Sequence, residues 1–148
     1  MKILEISHDD PELWERIAVY AENCSWGAGR NLARDMRMGK FTEWERVFAA
    51  MDGERPAGFC TLAKTDCIPD KDITPFIGYV FVGEEYRGRR LSGLLTAEAC
   101  RTAADLGFPV VYLVSGEIGL YEKYGFEKIG DRMASYGKMA QVFRKPTR

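Results

Sequence analysis

Two apolar segments with a helical segment between them set the strongest constraint on how this chain folds. The runs Pro75 to Val82 and Phe108 to Val114 are nearly all apolar, which is typical of strands buried on both faces in the middle of a sheet. A strand, a helix and a second strand in that order form a crossover unit, whose two strands run parallel. The sequence therefore predicts a central pair of parallel strands.

The segment between these strands has the clearest helical periodicity of the chain. Its apolar side chains recur at helical spacing and are expected to form one buried stripe, comprising Leu91, Leu94, Leu95, Ala99, Ala103 and Leu106. Gly107 follows the last of them and is typical of a helix end. We therefore predict a long helix packed on one face of the sheet.

The remaining segments predict a sheet that also contains antiparallel strands. Asp52-Gly53 favours a tight hairpin turn between the apolar runs 44–51 and 57–63. Asp9 or Asp10 is expected to cap a first helix that starts near Pro11. The other predicted elements are strands at 2–7, 126–129 and 138–144, a second helix at 31–38 and a short helix at 115–124. We predict a mixed α/β (α+β) fold with a central sheet of about six to seven strands flanked by about four helices.

Length and charge narrow the classes of protein to which this chain can belong. Its 148 residues predict one domain that spans residues 1–148. Lysine and arginine number 21 and aspartate and glutamate 22, so the net charge is -1. No global positive field would draw such a chain to nucleic acid or to an anionic membrane. Any site for an anion must therefore be local.

The scarcity of histidine and the spacing of cysteine argue against a metal centre. Cys24, Cys60, Cys67 and Cys100 form no C-x-x-C pair, and His8 is the only histidine. The single histidine also argues against Ser-His-Asp and Cys-His catalysis. No apolar segment approaches the roughly 18 residues of a membrane span, and the N-terminus has no signal-peptide pattern. We therefore expect a cytoplasmic protein with free thiols and no metal.

Three arginines crowd the start of the long helix. Arg87, Arg89 and Arg90 lie where free backbone N–H groups already present partial positive charge, and each cation there costs about 0.3 to 1 kcal/mol. A negative group is therefore expected among them. The residues alone leave two alternatives open, ion pairs with the adjacent Glu84-Glu85 or a bound phosphate. In the second alternative, Gly88 would let the backbone approach the ligand.

The order of these motifs resembles the Gcn5-related N-acetyltransferase superfamily. The strand FIGYVFVGEEY, the helix start RGRRLSGLL, the strand VVYLV and the segment LYEKYGF carry the resemblance, which covers roughly residues 44 to 130. It implies acetyl-CoA as cosubstrate, bound where the two parallel strands splay apart. It also implies direct transfer of the acetyl group to a primary amine of an unidentified acceptor, a small molecule or a peptide. The alternative is a catalytically inactive acyl-CoA sensor of the same fold.

The resemblance implies a set of residues that contact acetyl-CoA. The family's signature is Gln or Arg, two residues, Gly, one residue, and Gly or Ala. Arg87 fills its first position, whereas Arg90 and Ser92 replace its small residues. We expect Arg90 to be tolerated, because the donors are backbone N–H groups and a residue in helical geometry accommodates a side chain. The implied contacts are Val80, Phe81, Val82, Arg87, Gly88, Arg89, Arg90, Leu91, Ser92 and Ser115.

The resemblance also assigns the chemistry of transfer. Tyr121 matches the family's general acid, since a phenol stays protonated at neutral pH and can donate its proton to the departing thiolate. The alternative for Tyr121 is a core aromatic whose hydroxyl bonds to backbone, and Tyr124 is a weaker candidate for the acid. A main-chain N–H near Phe81 or Val82 is expected to stabilise the oxyanion, beside a bulge at Gly78. The general base stays open among Glu117, Asp66, Asp72 and Glu85.

Two loops are expected to form the acceptor pocket. They are residues 24–30, in which Trp26 would form a wall, and residues 65–72, whose three aspartates would attract a cationic amine. A helical face of arginines would instead receive an anionic acceptor, and it comprises Arg30, Arg34 and Arg37. The two patterns favour opposite substrates, so the acceptor stays open. Oligomers are common in this superfamily, so the resemblance also allows a homodimer.

Overall fold

One seven-stranded sheet with helices on both faces forms the fold, and the computed structural model describes residues 1–148. The strands are β1 (Lys2–Ile6), β2 (Arg46–Asp52), β3 (Arg55–Ala63), β4 (Phe76–Val82), β5 (Val110–Ser115), β6 (Glu127–Met133) and β7 (Met139–Pro146). The α-helices are α1 (Pro11–Asn23), α2 (Ala28–Arg37) and α3 (Leu91–Asp105). Short 3-10 helices cover Glu84–Tyr86 and Tyr121–Tyr124.

The strand order confirms the predicted crossover unit. Neighbouring strands follow the order β1-β2-β3-β4-β5-β7-β6. Every neighbouring pair is antiparallel except β4 and β5, which run parallel. α3 connects these two strands, as the alternation of apolar strand and helix predicts. The mixed α/β fold with a central parallel pair is therefore confirmed.

The predicted short helix at 115–124 is wrong. β5 continues to Ser115, and Gly119 in the following loop has a left-handed φ of +82°. The N–H of Glu117 donates to Ser115 Oγ at 3.0 Å, a local turn that competes with helix formation. Only Tyr121–Tyr124 are helical, in a single 3-10 turn. The fold therefore has three α-helices rather than about four.

The buried stripe of α3 is narrower than predicted. Leu91, Leu95, Ala99 and Ala103 are buried against the sheet, but Leu94 is 53% exposed. Leu94 lies about 120° around the helix from the middle of that stripe, because each residue of an α-helix turns by about 100°. Leu106 is also on the periphery, 38% exposed, since it follows the last helical residue.

The two central strands are less uniformly buried than their apolar sequences predict. Val111 and Leu113 of β5 are buried under α3, whereas Tyr112 and Val114 on the other face are half-buried. A loop of residues 64–75 covers that second face only in part. β4 is buried up to Gly78, and beyond it Tyr79, Val80 and Val82 are partly exposed while Phe81 stays buried. The exposed part of β4 is where the site described below begins.

α1 and α2 cover the face of the sheet opposite α3. Asp10 caps α1, as predicted, with Oδ1 accepting from the N–H of Leu13 at 3.1 Å. Apolar side chains of both helices pack on the sheet in one cluster with Phe59 and Phe81. Arg37 of α2 ties the pair together through ion pairs with two glutamates of α1. None of the three α-helices combines the length and apolar character needed to cross a membrane.

Candidate active site

β4 and β5 separate part-way along their length. They are paired only at Phe76 with Tyr112 and at Ile77 with Leu113. From residue 78 to 82 the edge of β4 that faces β5 has no strand partner, while its other edge stays paired with β3. This gap, the wedge, opens into a cleft of about 1780 Å³. The predicted splayed strand pair is therefore confirmed.

A bulge in β4 lies at the start of the wedge. Thr61 of β3 pairs with Gly78, and the pairing resumes at Phe81, so Tyr79 and Val80 share one partner on β3. Tyr79 has a left-handed φ of +47°, which is uncommon for a residue other than glycine. The bulge predicted at Gly78 therefore lies at the next residue instead.

Main-chain groups of β4 face the wedge alternately. The N–H of Gly83 donates to Ala57 O of β3 at 2.8 Å, and an antiparallel ladder repeats such pairs at every second residue. The N–H and C=O of Phe81 therefore point toward β3. The N–H of Val82 and the C=O of Val80 point into the wedge. The main-chain groups of Phe81 are thus directed away from the wedge, and Val82 remains as the candidate oxyanion donor.

The start of α3 forms a pocket suited to an anion. Arg90 occupies the N-cap position, no side chain caps the helix, and its first turn has no acidic residue. The backbone N–H groups of the first turn are therefore free to bind a ligand. A pocket of about 550 Å³, the anion pocket, lies beside this helix start and is lined by Arg87, Arg90 and Lys123. Cations next to free N–H groups suit a phosphate or a pyrophosphate.

Ion pairs with the neighbouring glutamates do not explain the arginine cluster. Glu85 pairs with Arg55 at 3.6 Å, and no arginine of the cluster pairs with Glu84 or Glu85. The positive charge at the start of α3 is therefore not neutralised within the chain. This favours the second alternative, a bound phosphate.

The members of the arginine cluster have different surroundings. Arg87 Nε donates to the carbonyl oxygen of Val82 at 3.1 Å, so this side chain joins the anion pocket to the wedge. Arg89 instead lies over the ring of Tyr86, with its guanidinium carbon 5.6 Å from the ring centroid. It lines neither the cleft nor the anion pocket. Lys123 provides the third cation of the anion pocket, and it lies outside the arginine motif RGRRLSGLL.

Arg90 differs from the helical geometry predicted for it. Its φ of +59° and ψ of +28° are left-handed, a conformation that costs a residue with a side chain roughly 1–2 kcal/mol. Gly88 is left-handed as well, with φ +83°. Alternating conformations of this kind aim successive N–H groups at one concave anion site. The glycine expected at position 90 by the family signature therefore has a conformational reason, which Arg90 satisfies at a cost.

Ser92 and Tyr124 form the wall of the anion pocket on the α3 side. Their hydroxyl oxygens are hydrogen-bonded at 2.9 Å. A Cβ added to Gly93 would lie 2.6 Å from the Tyr124 ring, so this ring packs directly on the helix backbone. Leu91 is buried in the core, which leaves only its backbone able to contact a ligand. Tyr124 is thus held against α3, and this position favours a structural role.

The side chain of Tyr121 reaches the cleft from the α3 side of the sheet. Its ring is buried against Tyr124, Phe126 and Phe143, and the residue is only 5% exposed. Its hydroxyl has no hydrogen-bond partner in the chain, and the residue lines the cleft. The alternative of a hydroxyl bonded to backbone is therefore wrong. Burial raises the pKa of Tyr121, with Cys60 and Glu117 contributing in the same direction, so the phenol remains protonated.

The carboxylates considered as bases lie in different places. Asp72 and Glu85 do not line the cleft, and Glu85 is paired with Arg55. Glu117 lines the cleft but is exposed, close to Ser115, whose Oγ is already bonded to the N–H of Glu117. Asp66 lines the cleft on the other side of the sheet, next to Gly78.

Both loops predicted for the acceptor pocket line the cleft. Trp26 stacks on Phe81, with ring centroids 6.1 Å apart and an interplanar angle of 5°, and is 38% exposed. Asp66 comes from the other loop, whereas Asp70 is engaged in an ion pair with Arg132. Of the three aspartates predicted to attract a cation, Asp66 alone lines the cleft.

The three arginines of the predicted helical face do not line the cleft together. Arg34 lines the cleft, Arg37 is held by Glu15 and Glu22 of α1, and Arg30 lies outside the cleft. Beside Arg34, the carboxylate of Asp35 accepts a hydrogen bond from the hydroxyl of Tyr79 at 3.0 Å. This part of the cleft therefore carries charges of both signs.

Comparison with known proteins agrees with the geometry of the wedge and the anion pocket. Residues 3–126 match the family described as "Acetyltransferase (GNAT) family". The chain belongs to this family. Membership confirms the resemblance of the sequence motifs and extends it to the N-terminal strand and helices. A search of curated proteins found no significant match.

Several solved structures of acetyltransferases share the whole fold of this chain. One is an aminoglycoside 6'-acetyltransferase type Ii, with TM-score 0.78 and 18% identity, covering 100% of this chain and 98% of that chain. An aminoglycoside 6'-N-acetyltransferase complexed with coenzyme A gives TM-score 0.75 at 16% identity, with the same two coverages. A third structure is a chimeric spermidine N-acetyltransferase that derives in part from Vibrio cholerae. It has a TM-score of 0.65 and 13% identity, and the match covers 99% of this chain and 97% of that chain.

Sequence reasoning missed three residues of the site. Lys123 lies in the motif LYEKYGF next to the tyrosines, but only the 3-10 turn shows that it points toward the start of α3. Tyr79 and Asp35 meet across 44 positions of sequence, at a bulge whose register no local pattern reveals. The one available signal was the position of Tyr79 immediately after Gly78.

Proposed function

We propose that the protein is an acetyl-CoA-dependent N-acetyltransferase that transfers the acetyl group directly to a primary amine within a ternary complex. The observation that carries this proposal is the arrangement of one cleft. Three features lie in or beside the cleft. They are the wedge between β4 and β5, the unneutralised anion pocket and the free hydroxyl of Tyr121. A sensor of acyl-CoA would need the first two features but not the third.

The chain offers separate contacts for the pyrophosphate and for the pantetheine arm of acetyl-CoA. The free N–H groups of α3, with Arg87, Arg90 and Lys123, would hold the pyrophosphate. The C=O of Val80 and the N–H of Val82 would bond to the pantetheine arm, as an added strand does at a free edge. Ser115, at the end of β5, lines the opposite side of the cleft. The remaining predicted contacts, Arg89 among them, stay predictions.

The chemistry needs a neutral amine, a donor for the oxyanion and an acid for the thiolate. The amine nitrogen attacks the thioester carbon, and the N–H of Val82 stabilises the negative oxygen of the tetrahedral intermediate. The carbon–sulfur bond then breaks, and Tyr121 donates its proton to the sulfur. The new amide nitrogen loses its extra proton, which restores the phenol. The products are the N-acetylated amine and the thiol of CoA.

The acceptor is proposed to be a small-molecule or peptide amine that enters between the loops at 24–30 and 65–72. The structural relatives are named for aminoglycoside and spermidine, which are both amines. Asp66 in the cleft favours an acceptor that arrives as a cation. The ion pairs that occupy Arg37 weaken the case for an anionic acceptor.

Calorimetric titration tests the first half of this proposal. Acetyl-CoA is expected to bind with micromolar affinity, because its phosphates meet three cations and a free helix N-terminus. Dephospho-CoA, which keeps the pyrophosphate, is expected to bind as well. If neither ligand gives binding heat at millimolar concentration, the wedge does not hold CoA and the proposal fails.

A further inference from the structure

The carboxylate of Asp66 is folded directly onto β4 at the point where the wedge begins. A Cβ added to Gly78 would lie 2.7 Å from Asp66 Oδ2, so the absence of a side chain at Gly78 makes room for this carboxylate. The other oxygen, Oδ1, accepts from the N–H of Cys67 at 2.6 Å. One oxygen of the carboxylate is therefore anchored by the loop, while the other lies against the strand.

Asp66 and Tyr121 approach the gap in the sheet from opposite faces. Side chains alternate between the two faces along a strand, and Ile77 packs in the same cluster as Tyr121, under α3. The next residue, Gly78, therefore presents its open side to the opposite face, and Asp66 lies on that side. The wedge between β4 and β5 separates the two groups, and both line the cleft.

The surroundings of Asp66 suit proton transfer better than those of the other carboxylates. Burial of the carboxyl between the loop and β4 raises the pKa of Asp66, more than the hydrogen bond from Cys67 lowers it. A carboxylate with a raised pKa is a stronger base than an ordinary aspartate. Glu117, the other cleft carboxylate among the predicted bases, instead lies near Tyr121, whose pKa its charge raises, and it is not among the atoms next to Gly78.

We propose that Asp66 is the general base of the reaction, which takes a proton from the ammonium group of the acceptor on the face of the sheet opposite Tyr121. This inference rests on the proposed function. The N–H bond of the ammonium breaks, its electron pair stays on nitrogen, and the proton goes to Asp66 Oδ2. The neutral amine then attacks the thioester as described above, and Asp66 later releases the proton to solvent.

This arrangement also specifies the acceptor class. An aliphatic primary amine is cationic at neutral pH, with a pKa of about 10.4, so it reaches Asp66 as a cation and forms an ion pair there. Trp26 stacks on Phe81 in the part of the cleft where the acceptor is proposed to enter, and it offers an aromatic face to the carbon skeleton of the acceptor. Aromatic amines, which are neutral and need no base before attack, are expected to be poor substrates that depend little on Asp66.

Two variants test this role by different routes. Asp66→Asn keeps the shape of the side chain and removes the base. Gly78→Ala keeps the carboxylate but moves it, because the new methyl group would lie 2.7 Å from Oδ2. Asp72→Asn is the matched control, since it makes the same change in the same loop outside the cleft. Kanamycin, spermidine and trialanine serve as acceptors, with thermal melting to verify folding.

Both test variants are expected to lower kcat by about 100-fold with the best acceptor, while calorimetry shows unchanged acetyl-CoA affinity. The Asp72→Asn control is expected to match the wild type. A rise in KM with unchanged kcat would mean that Asp66 only binds the amine, and the inference would be wrong. Unchanged kinetics in Asp66→Asn would also overturn it. If the wild type binds no acetyl-CoA and acetylates none of the three amines, the proposed function itself fails and this inference falls with it.

Discussion

Replacing Tyr121 with phenylalanine is expected to lower kcat by about 10²- to 10⁴-fold and to leave acetyl-CoA affinity unchanged. The hydroxyl has no partner within the chain, so its loss removes no internal hydrogen bond. The ring remains packed on Phe126 and Phe143, so the free energy of unfolding should also stay close to that of the wild type. The effect would therefore be confined to the protonation of the departing thiolate.

Steady-state kinetics and calorimetry on the same preparation check this prediction. Tyr112→Phe is the matched control, because it deletes a phenol hydroxyl on β5 outside the cleft. It is expected to leave both kcat and affinity unchanged. A Tyr121→Phe variant that turns over at the wild-type rate would assign the acid to water or to another residue. A variant that loses acetyl-CoA affinity would instead indicate a binding role for Tyr121.

Reversing the charge of two residues in the anion pocket is expected to weaken acetyl-CoA binding by at least about 100-fold. Hydrogen bonds to charged groups contribute about 1.5–3 kcal/mol each, and about 1.4 kcal/mol corresponds to a tenfold change in affinity. Arg90→Glu and Lys123→Glu together remove two such bonds and place negative charges beside the phosphates. Calorimetric titration of the double variant with acetyl-CoA measures the loss.

Two single variants separate the local effect from a change in net charge. Arg89→Glu is expected to have a much smaller effect, because Arg89 lies over the Tyr86 ring and lines neither the cleft nor the anion pocket. Arg30→Glu, on α2 and outside the cleft, should leave the affinity unchanged. Wild-type affinity in the double variant would show that the phosphates bind elsewhere. An equal loss in Arg30→Glu would show that only net charge matters.

Most of the fold could be predicted because its signals are local in sequence. The apolar runs at 75–82 and 108–114 and the helix between them define the crossover unit, and Asp52-Gly53 defines the hairpin of β2 and β3. The predicted helix at 115–124 failed because Ser115 and Gly119 favour a local turn over helix, an effect that periodicity does not record. Local turn chemistry thus decided the element that carries Tyr121.

The candidate site was predictable only in its motifs, since its details depend on register and backbone angles. The orientation of Phe81 toward β3 follows from the pairing of Gly83 with Ala57, which no sequence pattern reveals. The left-handed φ of Arg90 follows from its position as the N-cap residue of α3, and the sequence does not reveal where α3 begins. The sequence offers Asp66 as one of four candidate bases. Only the position of its carboxylate next to Gly78 distinguishes it from the other three.

The measurement that tests the central claim most directly is a transfer assay with acetyl-CoA and a panel of primary amines. Free CoA thiol and the acetylated amine are quantified together, the second by mass spectrometry. The proposed function predicts one thiol released per acetylated amine, at a rate that falls when Tyr121 is replaced with phenylalanine. Tight binding of acetyl-CoA with no acetylated product from any amine would contradict the claim, and would identify the protein as an acyl-CoA sensor on an acetyltransferase fold.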